Sequence, residues 1–203
     1  MTKSERQDME FQWINEGELR RDGEAIEIVA PPHTDFFCNG GSGADDGIDP
    51  ESLCNAPFYY TEVAGDFVLR TKVRHAFTDT YDSCSIMVFE DATHWAKSCF
   101  ELTDFGTHAV VSVVTKGDSD DANGPNIEGD EVWLQMCRKD NAFAFHYSLD
   151  GERFFMTRFF TLPVGDTVKI GLLAQAPTGE GGIRRYEHLT IEPRSVANLR
   201  MGV

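Results

Sequence analysis

Three residues with period-two spacing give this 203-residue sequence its first indication of chemistry. Trp95, Lys97 and Glu101 fall on one face of a predicted strand, while Phe100 and Leu102 fall on the opposite, core-facing side. An indole ring can stack on the apolar face of a sugar, and charged groups can hydrogen bond with its hydroxyls. The strand rise separates Lys97 from Glu101 by roughly 13 Å, so the two charges cannot pair directly. The row predicts either the floor of a binding site or a plain solvated face.

Five further residues complete the predicted ligand-binding set. Asp35 and Phe37 would place a carboxylate and an aromatic ring at the mouth of a groove, although the same segment also suits an Asx-type turn. His146 lies opposite an apolar row on its strand, which allows either a groove-facing or a structural histidine. Arg138 and Gln175 sit at strand ends beside long loops and are similar candidates.

Glu101 is the one catalytic candidate, as a general acid or base. Hydrolysis of a glycoside needs two carboxyl groups, about 5–5.5 Å apart for retention or about 6.5–9.5 Å for inversion. The tight Glu-x-Asp-x-Glu strand expected of a glucanase is absent from the sequence. The acidic loop read from Ser119 to Asp130 fits a calcium loop poorly, and no cysteine pair has zinc spacing. We therefore predict no metal and no cofactor.

The elements that must position these residues are short strands. The central hairpin runs from Asp82 to Leu102 around a turn at 90–93, and other strands are predicted from their alternation and flanking turns. The predicted strands lie near residues 11–15, 25–30, 56–60, 67–74, 108–115, 132–138, 143–148, 153–160, 167–175 and 184–192. Residues 38–55 and 116–129 are predicted as long polar loops. About a dozen strands and no convincing helix predict an all-β, two-sheet antiparallel sandwich.

We expect one domain over residues 1–203, with a core at about 11–192 and a tail at 193–203 that is helical or loose. The formal charge of −16 argues against nucleic acid and against anionic membranes as partners. No apolar leader or membrane-spanning window is seen. Cys84, Cys99 and Cys137 read as buried thiols of a cytoplasmic protein, whereas Cys38 and Cys54 lie in a loop as free thiols or, less favoured, a disulfide.

An ordered set of motifs carries a family resemblance. The motifs are Ala30-Pro31, Thr34-Asp-Phe-Phe37, Gly65-Asp66-Phe67, Trp95-Ala-Lys97 with Glu101, Val114-Thr115 with Ser119-Asp120, Asp150-Gly151 and Gly171-x₃-Gln175-Ala-Pro177. The set resembles the family of uncharacterised bacterial and fungal proteins that includes the fungal regulation-of-enolase protein. The resemblance implies a jelly-roll sandwich of the concanavalin A-like lectin and glucanase type, in which a concave sheet face usually holds sugars. Phe37 stands where a tryptophan is frequent, and the following Gly/Asp-rich loop is longer than usual.

Three functions follow from these observations. The leading one is intracellular binding of a small carbohydrate or sugar derivative in the groove. The second is a carbohydrate-active, hydrolase-like enzyme that uses Glu101. The third, suggested by the resemblance, is a regulatory module of sugar metabolism with an unidentified protein partner.

Overall fold

The computed structural model describes residues 9–39, 53–76 and 78–203 and forms an all-β sandwich of two antiparallel sheets. These residues contain sixteen strands and no helix, so none of them forms a helix that could cross a membrane. The predicted fold class, a two-sheet jelly-roll sandwich, is confirmed.

Sheet 1 contains seven strands in the spatial order β1 (Gln12–Ile14), β6 (Phe58–Ala64), β15 (Thr167–Gln175), β8 (Ser83–Asp91), β9 (His94–Leu102), β10 (His108–Lys116) and β11 (Asp118–Asn126). Sheet 2 contains seven strands in the order β14 (Phe155–Thr161), β13 (Ala142–Ser148), β12 (Glu131–Lys139), β7 (Phe67–His75), β16 (Gly182–Glu192), β3 (Ala25–Ala30) and β2 (Leu19–Asp22). A small hairpin is formed by β4 (Phe36–Phe37) and β5 (Leu53–Cys54).

The main core lies between the sheets and is built by alternate residues of both. On β9, Ala96 and Phe100 point into this core, as the alternation predicts. Sheet 2 contributes Phe67 and Leu69 of β7 and Phe145 of β13. The opposite, outer face of β9 carries Trp95, Lys97, Cys99 and Glu101, which are also buried. Strand β9 is therefore buried on both faces, and its outer face must be covered by other parts of the chain.

The central hairpin forms where the sequence predicts it. Strands β8 and β9 pair antiparallel around a turn at Ala92 and Thr93, with Ser83 opposite Glu101 and Met87 opposite Lys97. The Asp91 carboxylate accepts hydrogen bonds from the backbone N–H and the hydroxyl of Thr93, at 2.8 Å each. This side-chain closure fixes the register that aligns the outer-face residues.

The predicted polar loop at 116–129 is wrong, because residues Asp118–Asn126 form the edge strand β11. Gly117, with φ of +86°, makes the tight reversal from β10, and the two strands pair from Lys116 opposite Asp118 onward. An edge strand obtains its hydrogen bonds from the neighbouring backbone and needs no apolar side chains. Its charges also discourage pairing with another chain. The absence of apolar periodicity therefore concealed a strand.

The tail at 193–203 forms neither a helix nor a loose end. Its residues make turns, and Val196 packs with Val68 and Cys137 on the outer face of sheet 2. Each sheet thus has an outer face that a non-strand segment or a small hairpin covers in part.

Gly171 supplies a stability test of the close packing in sheet 1. A Cβ atom there would lie 2.1 Å from the Tyr59 carbonyl oxygen, so backbone must move to admit it. We expect Gly171→Ala to lower the free energy of unfolding by about 1–3 kcal/mol, the usual cost of overpacking. Urea unfolding measures the change. Gly165→Ala is the control, since its nearest contact would be 3.6 Å away, and equal stability of the two variants would contradict the packing argument.

Candidate functional site

The candidate site lies on the outer face of sheet 1, beside an aromatic cluster that covers one end of β9. Phe36 of the β4–β5 hairpin packs edge-on against Trp95 and Phe89, with ring centroids 5.8 and 6.0 Å apart. Trp95 is 0% exposed as a result. Its predicted role as a stacking platform for a sugar is therefore wrong, because its ring already packs against protein aromatic groups.

Backbone pairing at Thr34 holds this covering segment in place. Thr34 exchanges two hydrogen bonds with Ala176, of 3.2 and 3.1 Å, directly beyond the end of β15. Asn55 accepts a hydrogen bond of 2.9 Å from the Asp35 backbone N–H and donates one of 3.0 Å to His33. Asp35 is thereby brought over the sheet next to Gln175, the last residue of β15.

Asp35, Lys97 and Gln175 form one hydrogen-bonded group. The Lys97 ammonium donates to Asp35 Oδ1 at 2.8 Å and to Gln175 Oε1 at 2.9 Å, and Lys97 is only 2% exposed. Burial alone would lower the pKa of Lys97, but the Asp35 carboxylate outweighs it and holds the pKa above its usual range. The lysine is therefore charged and paired.

Glu101 lies in a row that crosses three neighbouring strands. Gln175 of β15 is opposite Ser83 of β8, which is opposite Glu101 of β9. Adjacent strands are about 4.8 Å apart, so the ends of the row are separated by roughly 10 Å at the backbone. Glu101 is 8% exposed, and no described residue hydrogen bonds with its carboxyl group. This large polar side chain is buried without a partner.

The Glu101 oxygens nevertheless reach solvent. Among the described residues, only Asp82 Oδ1 and Ser98 Oγ are buried side-chain polar atoms that lack both solvent contact and a hydrogen bond. The Glu101 oxygens and the Gln175 amide nitrogen also have no hydrogen bond to a described residue, but they do not count among these fully enclosed atoms. They therefore contact solvent and are available to a ligand.

The surroundings of Glu101 favour its neutral form. Burial raises the pKa of the Glu101 carboxyl to about 8, and Lys97 acts in the opposite direction. The carboxylates of Asp35, Asp121 and Asp104 add to the rise. Glu101 is therefore mostly protonated at pH 7 and can donate as well as accept a hydrogen bond.

Two predicted site residues lie elsewhere, on sheet 2. His146 is buried under the C-terminal tail, where Nε2 donates to the Leu199 carbonyl at 2.9 Å and Nδ1 lies 3.2 Å from Gln135 Nε2. Arg138 donates to the carbonyls of Asp140, Asp166 and Gly165, which joins two turns. Their predicted roles in the groove are wrong. His146 faces away from the core, but on the outer face of sheet 2. Arg138 ends β12 on the core-facing side and serves the neighbouring turns.

Phe37 lies on the hairpin but is not the ring over Trp95. Neighbouring residues of a strand point to opposite sides, so Phe37 faces away from the side on which Phe36 packs. Its side chain is half-buried. Asp35, Lys97, Glu101 and Gln175 thus share the outer face of sheet 1, and Phe37 stands at its covering hairpin.

Sequence reasoning missed two residues of this site. Ser83 lies between Gln175 and Glu101, and its position opposite Glu101 follows from the hairpin register. Arg184 of β16 reaches across from sheet 2 and donates to the carbonyls of Ser83 and Gln175, at 3.1 and 3.0 Å. It also forms a buried ion pair of 3.1 Å with Asp82. No local pattern in the sequence marks an arginine that bridges the two sheets.

Thiols and acidic groups in the described ranges form no evident metal centre. No three His, Cys, Asp or Glu side chains of these residues converge as metal ligands. All five cysteines are free, and Cys84, Cys99 and Cys137 are buried as predicted. Burial and the neighbouring Cys38 thiol, which forms a hydrogen bond with Cys54, raise the pKa of Cys54 to about 11.

Comparison with known proteins assigns the sequence to a family model. The model described as "Protein of unknown function (DUF1349)" matches residues 13–194. The Saccharomyces cerevisiae protein named "Regulation of enolase protein 1" is 28% identical over 130 residues, which are 63% of this chain and 64% of that protein. The match therefore spans less than two thirds of the yeast relative. Both findings confirm the predicted resemblance.

Solved structures with a similar fold include both unassigned and carbohydrate-related proteins. A functionally unknown protein from Saccharomyces cerevisiae is 20% identical, with a TM-score of 0.80 over 93% of this chain and 97% of that chain. A GH43 protein from Bacillus licheniformis is 12% identical, with a TM-score of 0.64 over 83% of this chain and 32% of that chain. The carbohydrate-binding module CBM66 from Bacillus subtilis is 10% identical, with a TM-score of 0.58 over 91% and 97%. These similarities establish the fold alone.

The isolated Glu101 carboxyl gives a pH-dependent stability test. A carboxyl whose folded pKa is raised favours folding below its unfolded pKa of about 4.5, and this contribution is lost as pH rises through about 8. Glu101→Gln should therefore resemble the unmodified protein at pH 5. At pH 9 it should be more stable by about 1.4 kcal/mol for each unit of pKa shift removed.

Chemical denaturation at pH 5, 7 and 9 measures this difference. Glu128→Gln, which replaces an exposed carboxylate, is the matched control and should leave the pH dependence unchanged. A stability difference between Glu101→Gln and the unmodified protein that does not grow with pH would contradict the raised pKa.

Proposed function

The chain belongs to the DUF1349 family of proteins of unknown function, and we propose that it binds a small carbohydrate on the outer face of sheet 1. We place this activity in the cytoplasm, in keeping with five free thiols. The likeness to a carbohydrate-binding module and to a GH43 protein supports a sugar-related role for this type of sandwich.

One observation carries the proposal. Glu101 is nine-tenths buried on the sheet face, its oxygens reach solvent, and no described residue satisfies them. A ligand that closes this opening must hydrogen bond with the carboxyl group, because a buried polar group left unsatisfied costs about 1–3 kcal/mol. A sugar hydroxyl can donate to Glu101 and accept from it.

Gln175 and Asp35 supply the neighbouring polar contacts. Lys97 occupies the Gln175 carbonyl oxygen and thereby orients the amide, whose nitrogen remains available as a donor. Asp35 uses Oδ1 for Lys97 and for the Phe36 backbone N–H, and its second oxygen has no partner among the described residues. The Gln175 amide nitrogen can donate a hydrogen bond, and the oxygens of Asp35 and Glu101 can accept one. This combination matches adjacent sugar hydroxyls, each of which both donates and accepts. Lys97 is a positioning residue in this arrangement.

A hydrolase-like activity is the second candidate, favoured by the same Glu101. General acids work best with a pKa near the operating pH, and burial brings the pKa of Glu101 to about 8. In that case, Glu101→Gln would leave substrate binding nearly intact while turnover fell by about 10²–10⁴-fold. Simple binding predicts no product from the unmodified protein.

The binding proposal is tested by calorimetric titration with a panel of neutral, acidic and amino monosaccharides and disaccharides. Loss of both carboxyl oxygens in Glu101→Leu should weaken binding by about tenfold or more, since 1.4 kcal/mol corresponds to tenfold. Glu128→Gln should bind as the unmodified protein does. Failure of every sugar to bind, or binding that is unaffected in Glu101→Leu, would overturn the proposal.

A further inference from the structure

The charges that face Glu101 are almost all negative. On its own strand, Lys97 is the nearby cation, and Cys99 is a buried thiol whose pKa burial raises to about 12. Asp35 approaches from the covering hairpin, Asp121 from β11 and Asp104 from the turn that follows β9. Across the sheet, Ser83 of β8, Ala109 of β10 and Gln175 of β15 carry no charge.

The cation nearest Glu101 on this face is already committed. Lys97 is held by Asp35 and Gln175, so its charge is balanced within the protein. Arg158 acts on Asp121, toward the edge of sheet 1, and is absent from the leading influences on Glu101. The region therefore combines one unpartnered acid with further carboxylates. Among the leading electrostatic influences on Glu101, the one cation is Lys97, which is already paired.

We propose that the carbohydrate bound at Glu101 is an amino sugar whose ammonium group lies against the Glu101 carboxyl group. This inference rests on the proposed carbohydrate-binding function and specifies its ligand class. An ammonium has three donors and no acceptor, which complements the unpartnered oxygens of Glu101 and Asp35. It also brings the positive charge that the surrounding carboxylates favour.

Anionic and neutral sugars fit the same face less well. A uronate or sugar phosphate would add a negative charge beside Asp35, Asp104 and Asp121, and the only nearby ammonium is already paired. A neutral hydroxyl would satisfy one hydrogen bond of Glu101 but leave the negative potential unchanged. An amino group supplies both the hydrogen-bond donors that the Glu101 oxygens lack and a positive charge beside the surrounding carboxylates.

Binding of the ammonium must release a proton. At pH 7 the free protein holds Glu101 mostly in its protonated form, because its pKa is raised to about 8. The O–H bond of the Glu101 acid breaks, its proton passes to the buffer, and the resulting carboxylate pairs with the intact ammonium. Close to one proton is therefore released for each ligand bound at pH 6, where the free amine also keeps its proton. Affinity should rise from pH 6 to about pH 7 and fall again above about pH 8, because an amino group beside oxygen-bearing carbons titrates near the α-amino range of about 7.7–8.0.

The test uses the full chain and three matched probes: glucosamine, glucose and glucuronate. Calorimetric titrations at pH 6, 7 and 8, each in two buffers of different ionisation enthalpy, give both affinity and proton release. We expect glucosamine to bind at least tenfold more tightly than glucose at pH 7, and glucuronate to bind least well. Glucosamine binding should release close to one proton at pH 6 and progressively less at pH 7 and 8. Proton release needs no variant, so misfolding of a substituted chain cannot obscure it.

Variants then locate the effect. Glu101→Gln should abolish both the proton release and the preference for glucosamine, while Glu128→Gln should retain them. Glucosamine and glucose binding equally well, with a dependence on Glu101, would overturn the amino-sugar inference and leave the carbohydrate-binding proposal standing. Tighter binding of glucuronate would do the same. A lack of binding by all three probes and by the wider sugar panel would overturn the carbohydrate-binding proposal, and the inference with it.

Discussion

The buried ion pair between Lys97 and Asp35 is the interaction on which the outer face of sheet 1 depends. Strand β9 is buried on both sides, and an ammonium that is 2% exposed requires an opposite charge at hydrogen-bonding distance. Removal of one partner of such a pair typically costs about 3–5 kcal/mol, because the other charge is left uncompensated. The requirement brings Asp35 onto the sheet. With it come Phe36, which covers Trp95, and the backbone contacts of Thr34.

Lys97 and Glu101, both on the outer face of β9, differ in their hydrogen bonding. The Lys97 ammonium is paired with Asp35 and Gln175. The carboxyl group of Glu101, four residues farther along the strand, has no hydrogen bond to a described residue and is kept neutral by burial. Stability alone would favour a partner for Glu101 or an apolar residue in its place. Retention of an unsatisfied but solvent-touching carboxyl is the kind of local conflict that ligand-binding sites show, where function is maintained at some expense of stability.

Sequence reasoning predicted much of the fold because alternation and turn chemistry are local. The β8–β9 hairpin, its inward Phe100 and the row from Trp95 to Glu101 follow from period-two spacing. Strand β11 was missed because an edge strand needs no apolar pattern. Arg138 was assigned to the groove because it ends a strand beside a loop, and His146 because one strand shows which of its faces leaves the core. The sheet to which that strand belongs is set by distant pairings. Trp95 was read as open because no local signal shows that Phe36 covers it.

The arrangement of carboxyl groups bears on whether this face binds or cleaves. Two-carboxyl hydrolysis needs one protonated and one ionised group at a fixed separation across the scissile bond. Glu101 suits the protonated role. Asp35, Asp104 and Asp121 are the carboxyl groups that act on Glu101. Asp35 Oδ1 accepts hydrogen bonds from Lys97 and from the Phe36 backbone, so this carboxyl group is anchored to the sheet and hairpin as a structural partner. A carboxylate engaged in this way is well placed to accept a bond from a ligand and is less suited to attack one. The anchoring of Asp35 therefore supports the proposed recognition of a sugar over the alternative of hydrolysis, with Lys97 holding the acceptor in position and Glu101 providing the group that the ligand would satisfy.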